Sequence, residues 1–304
     1  MDLVKEIQKL KSERDAVILA HNYQVPDIQD VADFVGDSLE LSRKAASAPE
    51  SVIVFCGVHF MAETAKILAP SKTVLLPDLK AGCGLADMIN AEQLREFKAE
   101  HPGAKTVCYI NSTAEVKAES DACCTSSNAL KVVEAMEADK VLMVPDKYLA
   151  AHVQSQLKAK GSSVEIVAWN GYCPIHMRII PEYIERLKVK HPKAKIITHP
   201  ECACSVTELS DSIESTSGMS KFVEESSADT FIIGTEIGLL HRLQKEHPDK
   251  EFIAATGLAE CGYMKEIDLM DLYESLKNMQ HEIEVDPEVA AKAKKAIDAM
   301  LTAG

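Results

Sequence analysis

Three cysteines, Cys83, Cys173 and Cys261, lie 90 and 88 residues apart, and each follows an apolar run. The runs are Thr73 to Leu76, Val164 to Trp169 and Phe252 to Ala255, all of which read as buried strands. Thiolates brought to one point by three strands can hold a metal, whereas cysteines left in separate cores behave as small apolar residues. Equivalence of the three positions would favour the first reading, so the near-equal spacing calls for a search for an internal repeat.

The repeat is present. Upstream of each cysteine, another apolar run ends in a residue able to do chemistry: His21, Tyr109 or His199. With these three taken as equivalent, Tyr23, Asn111 and Glu201 follow two residues later, Asp33, Asp121 and Asp211 twelve later, and Ser38, Ser126 and Thr216 seventeen later. The cysteines come at 62, 64 and 62 residues. The chain therefore reads as three copies of one unit of just under 90 residues, with boundaries at 1–84 plus 265–304, 85–174 and 175–264.

The elements that must position these residues alternate strand with helix. In the first unit, a helix over 2–13 leads to a strand ending at His21, and Ile28, Val31, Ala32 and Val35 have helical spacing up to Gly36. Asp37-Ser38 then opens a second helix, followed by a strand over 52–55 and a helix from about 61 to 68. The other two units repeat this order, with helix starts at Ser126-Ser127-Asn128 and Thr216-Ser217-Gly218. Residues 266–302 add helices outside the repeat, one of them opened by Asp286-Pro287. Such alternation predicts an α/β fold: three three-layer α/β/α domains with parallel sheets around a pseudo-threefold axis. Ligands gather outside the carboxyl ends of parallel strands, where the histidines, Tyr109 and the cysteines fall. The helix starts at Ser38, Ser126 and Thr216 are expected to face the same centre and to favour carboxylates or phosphate there.

Blander roles suit other residues. Cys56, Cys108 and Cys123 read as core, Cys124 is ambiguous, and the three aspartates read as loop braces. His101, His191 and His247 precede prolines at helix ends. Cys202-Ala203-Cys204 is a competing thiol pair confined to the third unit.

Composition narrows the class further. The chain has 304 residues, 46% of them hydrophobic, and a net charge of −14 with no basic patch, which argues against a nucleic-acid partner. No apolar run is long enough to span a bilayer, and the charged amphipathic N-terminus lacks the apolar stretch of a signal peptide, so a cytoplasmic location is expected. Nine cysteines in a reducing compartment are thiols or metal ligands more readily than a disulfide framework. Three converging thiolates suit a zinc site completed by His176, or a [4Fe–4S] cluster with one iron open to water or substrate as a Lewis acid.

Several stretches taken together resemble quinolinate synthases, the iron–sulfur enzymes of NAD biosynthesis. They are Ile18-Leu19-Ala20-His21-Asn22-Tyr23-Gln24, Gly36-Asp37-Ser38, Phe60-Met61-Ala62-Glu63-Thr64-Ala65-Lys66, Tyr109-Ile110-Asn111-Ser112-Thr113, Gly171-Tyr172-Cys173-Pro174-Ile175-His176, His199-Pro200-Glu201-Cys202 and Gly234-Thr235-Glu236. The resemblance covers nearly the whole chain. It implies three similar α/β domains around one active site, and one [4Fe–4S] cluster per chain on Cys83, Cys173 and Cys261, with one iron not held by protein. It also implies condensation of iminoaspartate with dihydroxyacetone phosphate to quinolinate, with loss of phosphate and two waters. His21, Tyr23 and Glu201 are then the expected acid/base groups. His21, Ser38, Tyr109, Ile110, Asn111, Ser126, His199, Pro200, Glu201 and Thr216 are the expected substrate contacts. The partners implied are the two small substrates and a transient contact with the enzyme that supplies iminoaspartate, with no membrane. Two other readings fit the same residues: another open-iron dehydratase of hydroxy acids, or a non-catalytic metal-dependent sensor.

Overall fold

A computed structural model describes residues 2–303. It contains three four-stranded sheets whose strands pair in parallel. The first sheet holds β1 (Ala16–His21), β2 (Phe34–Gly36), β3 (Val52–Cys56) and β4 (Thr73–Leu75), in the order β2-β1-β3-β4. The second holds β5 (Lys105–Tyr109), β6 (Ala122–Cys124), β7 (Lys140–Val144) and β8 (Glu165–Ala168), and the third β9 (Lys195–Thr198), β10 (Ser212–Ile213), β11 (Thr230–Gly234) and β12 (Glu251–Ala254). Their orders, β6-β5-β7-β8 and β10-β9-β11-β12, repeat that of the first. Helices pack on the sheets, as parallel strands require, because βαβ crossovers place a helix against a sheet face.

One hydrogen-bond pattern recurs in the three sheets at the spacing found in the sequence. The Asp33 carboxylate accepts the Ile18 N–H, Asp121 that of Thr106, and Asp211 that of Ile196, at 2.8–2.9 Å. The N–H of each aspartate donates back to the carbonyl of the same residue. Each aspartate also meets a lysine, Lys11, Lys105 or Lys195. These are braces at the start of a strand pairing, in line with the loop role expected of them.

The same braces explain where the expected elements shift. The run from Ile28 to Val35 divides into a helix, Pro26–Val31, and the strand β2, because the paired bonds of Asp33 to Ile18 lay the chain beside β1. β2, β6 and β10 are three, three and two residues long, too short for an alternating pattern to show. β8 and β12 lie at sheet edges and are largely half-exposed, not buried as their apolar sequences suggest.

The helix Leu269–Asn278 packs on the helix Leu3–Glu13 and on β3. The last helix, Pro287–Ala303, packs mainly on Ala114–Ala118 and β6 of the second sheet and also touches His59–Leu68 of the first. It buries Ala293, Ala296, Ile297 and Met300 in one core continuous across both sheets, whereas the third sheet has separate apolar clusters. Among the described residues, no helix is long and apolar enough to cross a membrane.

Candidate active site

A cavity of about 360 Å³ lies where the carboxyl ends of the three sheets meet. Cys83, Cys173 and Cys261 all line it, each just ahead of a short 3₁₀ turn, at Ala86–Met88, His176–Arg178 and Gly262–Lys265. Of the nine cysteines, these are the three with intermediate exposure. Cys56, Cys108, Cys123, Cys124 and Cys202 are buried and Cys204 is exposed. Burial pushes the Cys83 thiol up to about 12 and raises those of Cys173 and Cys261. The donor set fits a centre held by three thiolates, because no fourth cysteine lines the cavity.

Two carboxylates missing from the expected site residues hold the cysteine loops. Asp146 Oδ1 accepts from the N–H groups of Tyr148 and Leu149 at the start of a helix, and its Oδ2 accepts the Cys173 N–H at 3.2 Å. Glu236 does the same one unit later, with Oε2 on the Gly238 N–H at 2.6 Å and Oε1 on the Cys261 N–H at 3.0 Å. Lys265 Nζ lies 2.8 Å from the same oxygen of Glu236. Asp146 and Glu236 both stand 37 residues after the reference positions Tyr109 and His199, so the repeat register extended to acidic residues would have found them. Val58 occupies that place in the first unit. The backbone brace beside it is common to all three: the N–H groups of His59, Lys147 and Ile237 donate to the carbonyls of Ala81, Gly171 and Ala259. Gly171 is needed for this approach, since a Cβ there would sit 2.3 Å from the Pro145 carbonyl oxygen.

His21 and His199 reach the cavity from corresponding strand ends, and the backbone orients them alike. The Tyr23 N–H donates to His21 Nδ1 at 3.1 Å and the Glu201 N–H to His199 Nδ1 at 3.3 Å. In the neutral rings the proton must therefore sit on Nε2, which in His199 lies 3.2 Å from Ser126 Oγ. Burial pushes both imidazoles down to about 3. Between about 3 and the ordinary 6.5 the unfolded chain binds protons at these positions that the folded chain does not, so their contribution to stability is complete above about 6.5 and is lost as pH falls towards 3. Urea denaturation of the cluster-free chain is expected to show a lower midpoint at pH 5 than at pH 7, and the double variant His21→Gln, His199→Gln a smaller difference. An unchanged pH dependence in the double variant would show that other groups carry it.

Glu201 is 3% exposed and stands among these groups. Tyr109 donates its hydroxyl to Oε1 at 2.5 Å. His176 Nδ1 lies 2.9 Å from Oε2. Burial alone would raise the carboxyl, but His176, His199 and the Tyr109 hydroxyl hold it below the ordinary carboxylate range. The phenols of Tyr23 and Tyr109 are raised well above theirs, by burial first and then by Glu201, so both stay protonated. Tyr23 shares a 2.6 Å hydrogen bond with Thr235, whose Oγ1 lies 2.9 Å from His176 Nε2. The site thus sets one ionised carboxylate against protonated hydroxyls and the neutral imidazoles of His21 and His199, which is what proton transfer between bound groups needs.

Ser38, Asn111, Ser126 and Thr216 also line the cavity. The helix caps lie beside them: Asp37 caps Ser38–Ser47 with its carboxylate, Ser215 caps Thr216–Glu225, and Asn128 precedes Ala129–Ala135, which leaves Ser126 in the turn ahead of the helix. Thr216 Oγ1 accepts from Asn22, and Asn111 Oδ1 is buried without a hydrogen-bond partner. Ile110 and Pro200 do not line the cavity; Ile110 is buried, and Pro200 faces a neighbouring pocket that shares Ser126. Arg178, not singled out in the sequence, does line it, and its guanidinium donates to the carbonyls of Leu258 and Glu260 just ahead of Cys261.

Comparison with known proteins gives one consistent result. The profile of the family described as "NadA: Quinolinate synthetase A protein" matches residues 5–302. A protein named quinolinate synthase from Dehalococcoides mccartyi is 56% identical over 97% of this chain and 96% of its own length. Namesakes from Methanosarcina barkeri, at 51% over 99% and 97%, and Alkaliphilus metalliredigens, at 49% over 99% and 98%, are similar throughout. Among solved structures, a thiosulfate sulfurtransferase from Pseudomonas aeruginosa shares 14% identity over 96% of this chain and 74% of that one, with a TM-score of 0.19.

Proposed function

The chain belongs to the quinolinate synthetase A family of enzymes, and on that premise we propose that it condenses iminoaspartate with dihydroxyacetone phosphate to quinolinate, releasing phosphate and two waters, as a step of NAD biosynthesis in the cytoplasm. The observation that carries this reading is that one cysteine from each third of the chain lines the same cavity as His21, Tyr23, Tyr109, His199 and Glu201. The sulfurs of Cys83, Cys173 and Cys261 would hold one [4Fe–4S] cluster per chain with one iron free of protein ligands. When bound, such a cluster supplies a Lewis acid that helps a hydroxyl depart.

The chain's own groups do the rest. Glu201, ionised and in contact with the Tyr109 hydroxyl, takes a proton from the condensing carbon, and Tyr109 relays it. Tyr23, protonated and bonded to Thr235, delivers a proton to a leaving oxygen. His21, with Nε2–H as its free donor, orients the carbonyl that the imine nitrogen attacks. Ser38 and Thr216, each the first residue of a ten-residue helix, meet the phosphate before it leaves, and Asn111 and Ser126 hold the substrate carboxylates. The division into units at 84/85, 174/175 and 264/265 belongs to this reading, as does a transient contact with the enzyme that supplies iminoaspartate.

The direct test is an anaerobic assay of the reconstituted protein with dihydroxyacetone phosphate and iminoaspartate generated in place. Quinolinate and inorganic phosphate should appear in equal amounts. A reconstituted protein that forms no quinolinate while dehydrating a hydroxy acid would replace this reading with the open-iron dehydratase.

A further inference from the structure

The site contains a second set of metal donors that the three-cysteine arrangement does not use. Cys173 Sγ, a ring nitrogen of His176 and a Glu201 carboxylate oxygen lie within 4.8 Å of one another. His176 is 2% exposed, and its Nδ1 is a buried polar atom with no hydrogen-bond partner, held 2.9 Å from Glu201 Oε2. The other ring nitrogen, Nε2, is 2.9 Å from Thr235 Oγ1. If Nε2 donates its proton there, Nδ1 beside Glu201 keeps a lone pair free for a metal ion, which is the second-shell arrangement that fixes a metal-bound histidine.

We propose that the cluster-free chain binds one divalent transition-metal ion on Cys173, His176 and Glu201, with its fourth position open to the cavity. A sulfur, an imidazole nitrogen and a carboxylate oxygen make a donor set for zinc and for the later first-row divalent ions. Tetrahedral bonds of about 2.0–2.3 Å would place such donors roughly 3.3–3.8 Å apart. The longest pair must close by no more than about 1 Å and the His176 Nδ1–Glu201 pair must open by several tenths, shifts within reach of side-chain rotation at a cavity wall. Binding releases the thiol proton, so it strengthens as pH rises. The ion occupies a cysteine proposed for the cluster and the carboxylate proposed for proton transfer, so it competes with cluster assembly.

The test uses the full chain, purified anaerobically and stripped with chelator, and titrated with Co²⁺ as a coloured probe and then with Zn²⁺ in competition. One Co²⁺ per chain should bind, with a thiolate-to-metal charge-transfer band that Zn²⁺ abolishes. The band should persist in Cys83→Ser and Cys261→Ser and vanish in Cys173→Ser. His176→Gln should weaken binding at least tenfold, and Thr235→Val by about tenfold or more. Circular dichroism of each stripped variant shows whether it has folded, and Cys83→Ser and Cys261→Ser remain informative if another variant does not. Loss of the band in Cys83→Ser or Cys261→Ser, its survival in folded Cys173→Ser, or no Co²⁺ binding at all would each overturn the proposal. None of these readouts depends on quinolinate formation, so this inference and the proposed function stand or fall separately.

Discussion

Replacing any one of Cys83, Cys173 or Cys261 by serine is expected to leave a folded chain that cannot retain a [4Fe–4S] cluster and forms no measurable quinolinate. The thiols reach the cavity on loops held by backbone bonds that all three units share, and by Asp146 and Glu236 in the second and third. A serine on such a loop leaves those bonds in place but puts a hard, protonated hydroxyl where a soft thiolate is needed. With two sulfurs remaining, the cluster loses the ligand contributed by an entire third of the molecule, and no other cysteine lines the cavity to replace it. Iron and sulfide analysis after anaerobic reconstitution, with the visible absorbance of the cluster, checks this directly. Cys56→Ser and Cys204→Ser are the controls and should keep the cluster, because one is sealed in a core and the other faces solvent. A single variant of the trio that kept both cluster and turnover would break the ligand assignment.

Glu201→Gln is expected to lower quinolinate formation by about 10²–10⁴-fold while leaving the cluster spectrum intact. The amide oxygen of glutamine can still accept the Tyr109 hydroxyl, so shape and packing change little. The missing charge is the one that neighbouring His176, His199 and Tyr109 hold in its ionised form. Tyr109→Phe removes the relay but keeps the carboxylate, and should cost less than Glu201→Gln. Full activity in Glu201→Gln would move the proton-transfer role to another group, and His21 would be the first to examine. The measurement is steady-state turnover at matched cluster content, so that a difference in loading cannot pass for a difference in chemistry.

The fold could be read because the repeat left its mark on residue types. Asp33, Asp121 and Asp211 make the same two bonds in all three sheets, and a requirement this local shows at a fixed offset from His21, Tyr109 and His199. β2, β6 and β10 escaped because two or three residues are too few to show a period, and their pairing comes from those aspartates more than from their own sequences. β8 and β12 misled because an apolar run says that a segment favours pairing, but not whether the sheet continues beyond it. Asp146 and Glu236 serve as acceptors for backbone N–H groups, a role that carries no motif of its own and shows only in their common offset from Tyr109 and His199.

The sequence by itself determined the three units, the strand–helix alternation and the candidate cysteines and acid/base residues, because these follow from contacts within a unit that impose residue types at fixed spacings. Only the tertiary structure decided that His21, His199, Tyr109 and Glu201 share a cavity with those cysteines, that Ile110 and Pro200 stand outside it, and that His176 stands close to both Cys173 and Glu201. Those relations depend on how three separate sheets pack against one another, and packing between units is set by many side chains at once, with no period along the chain to record it.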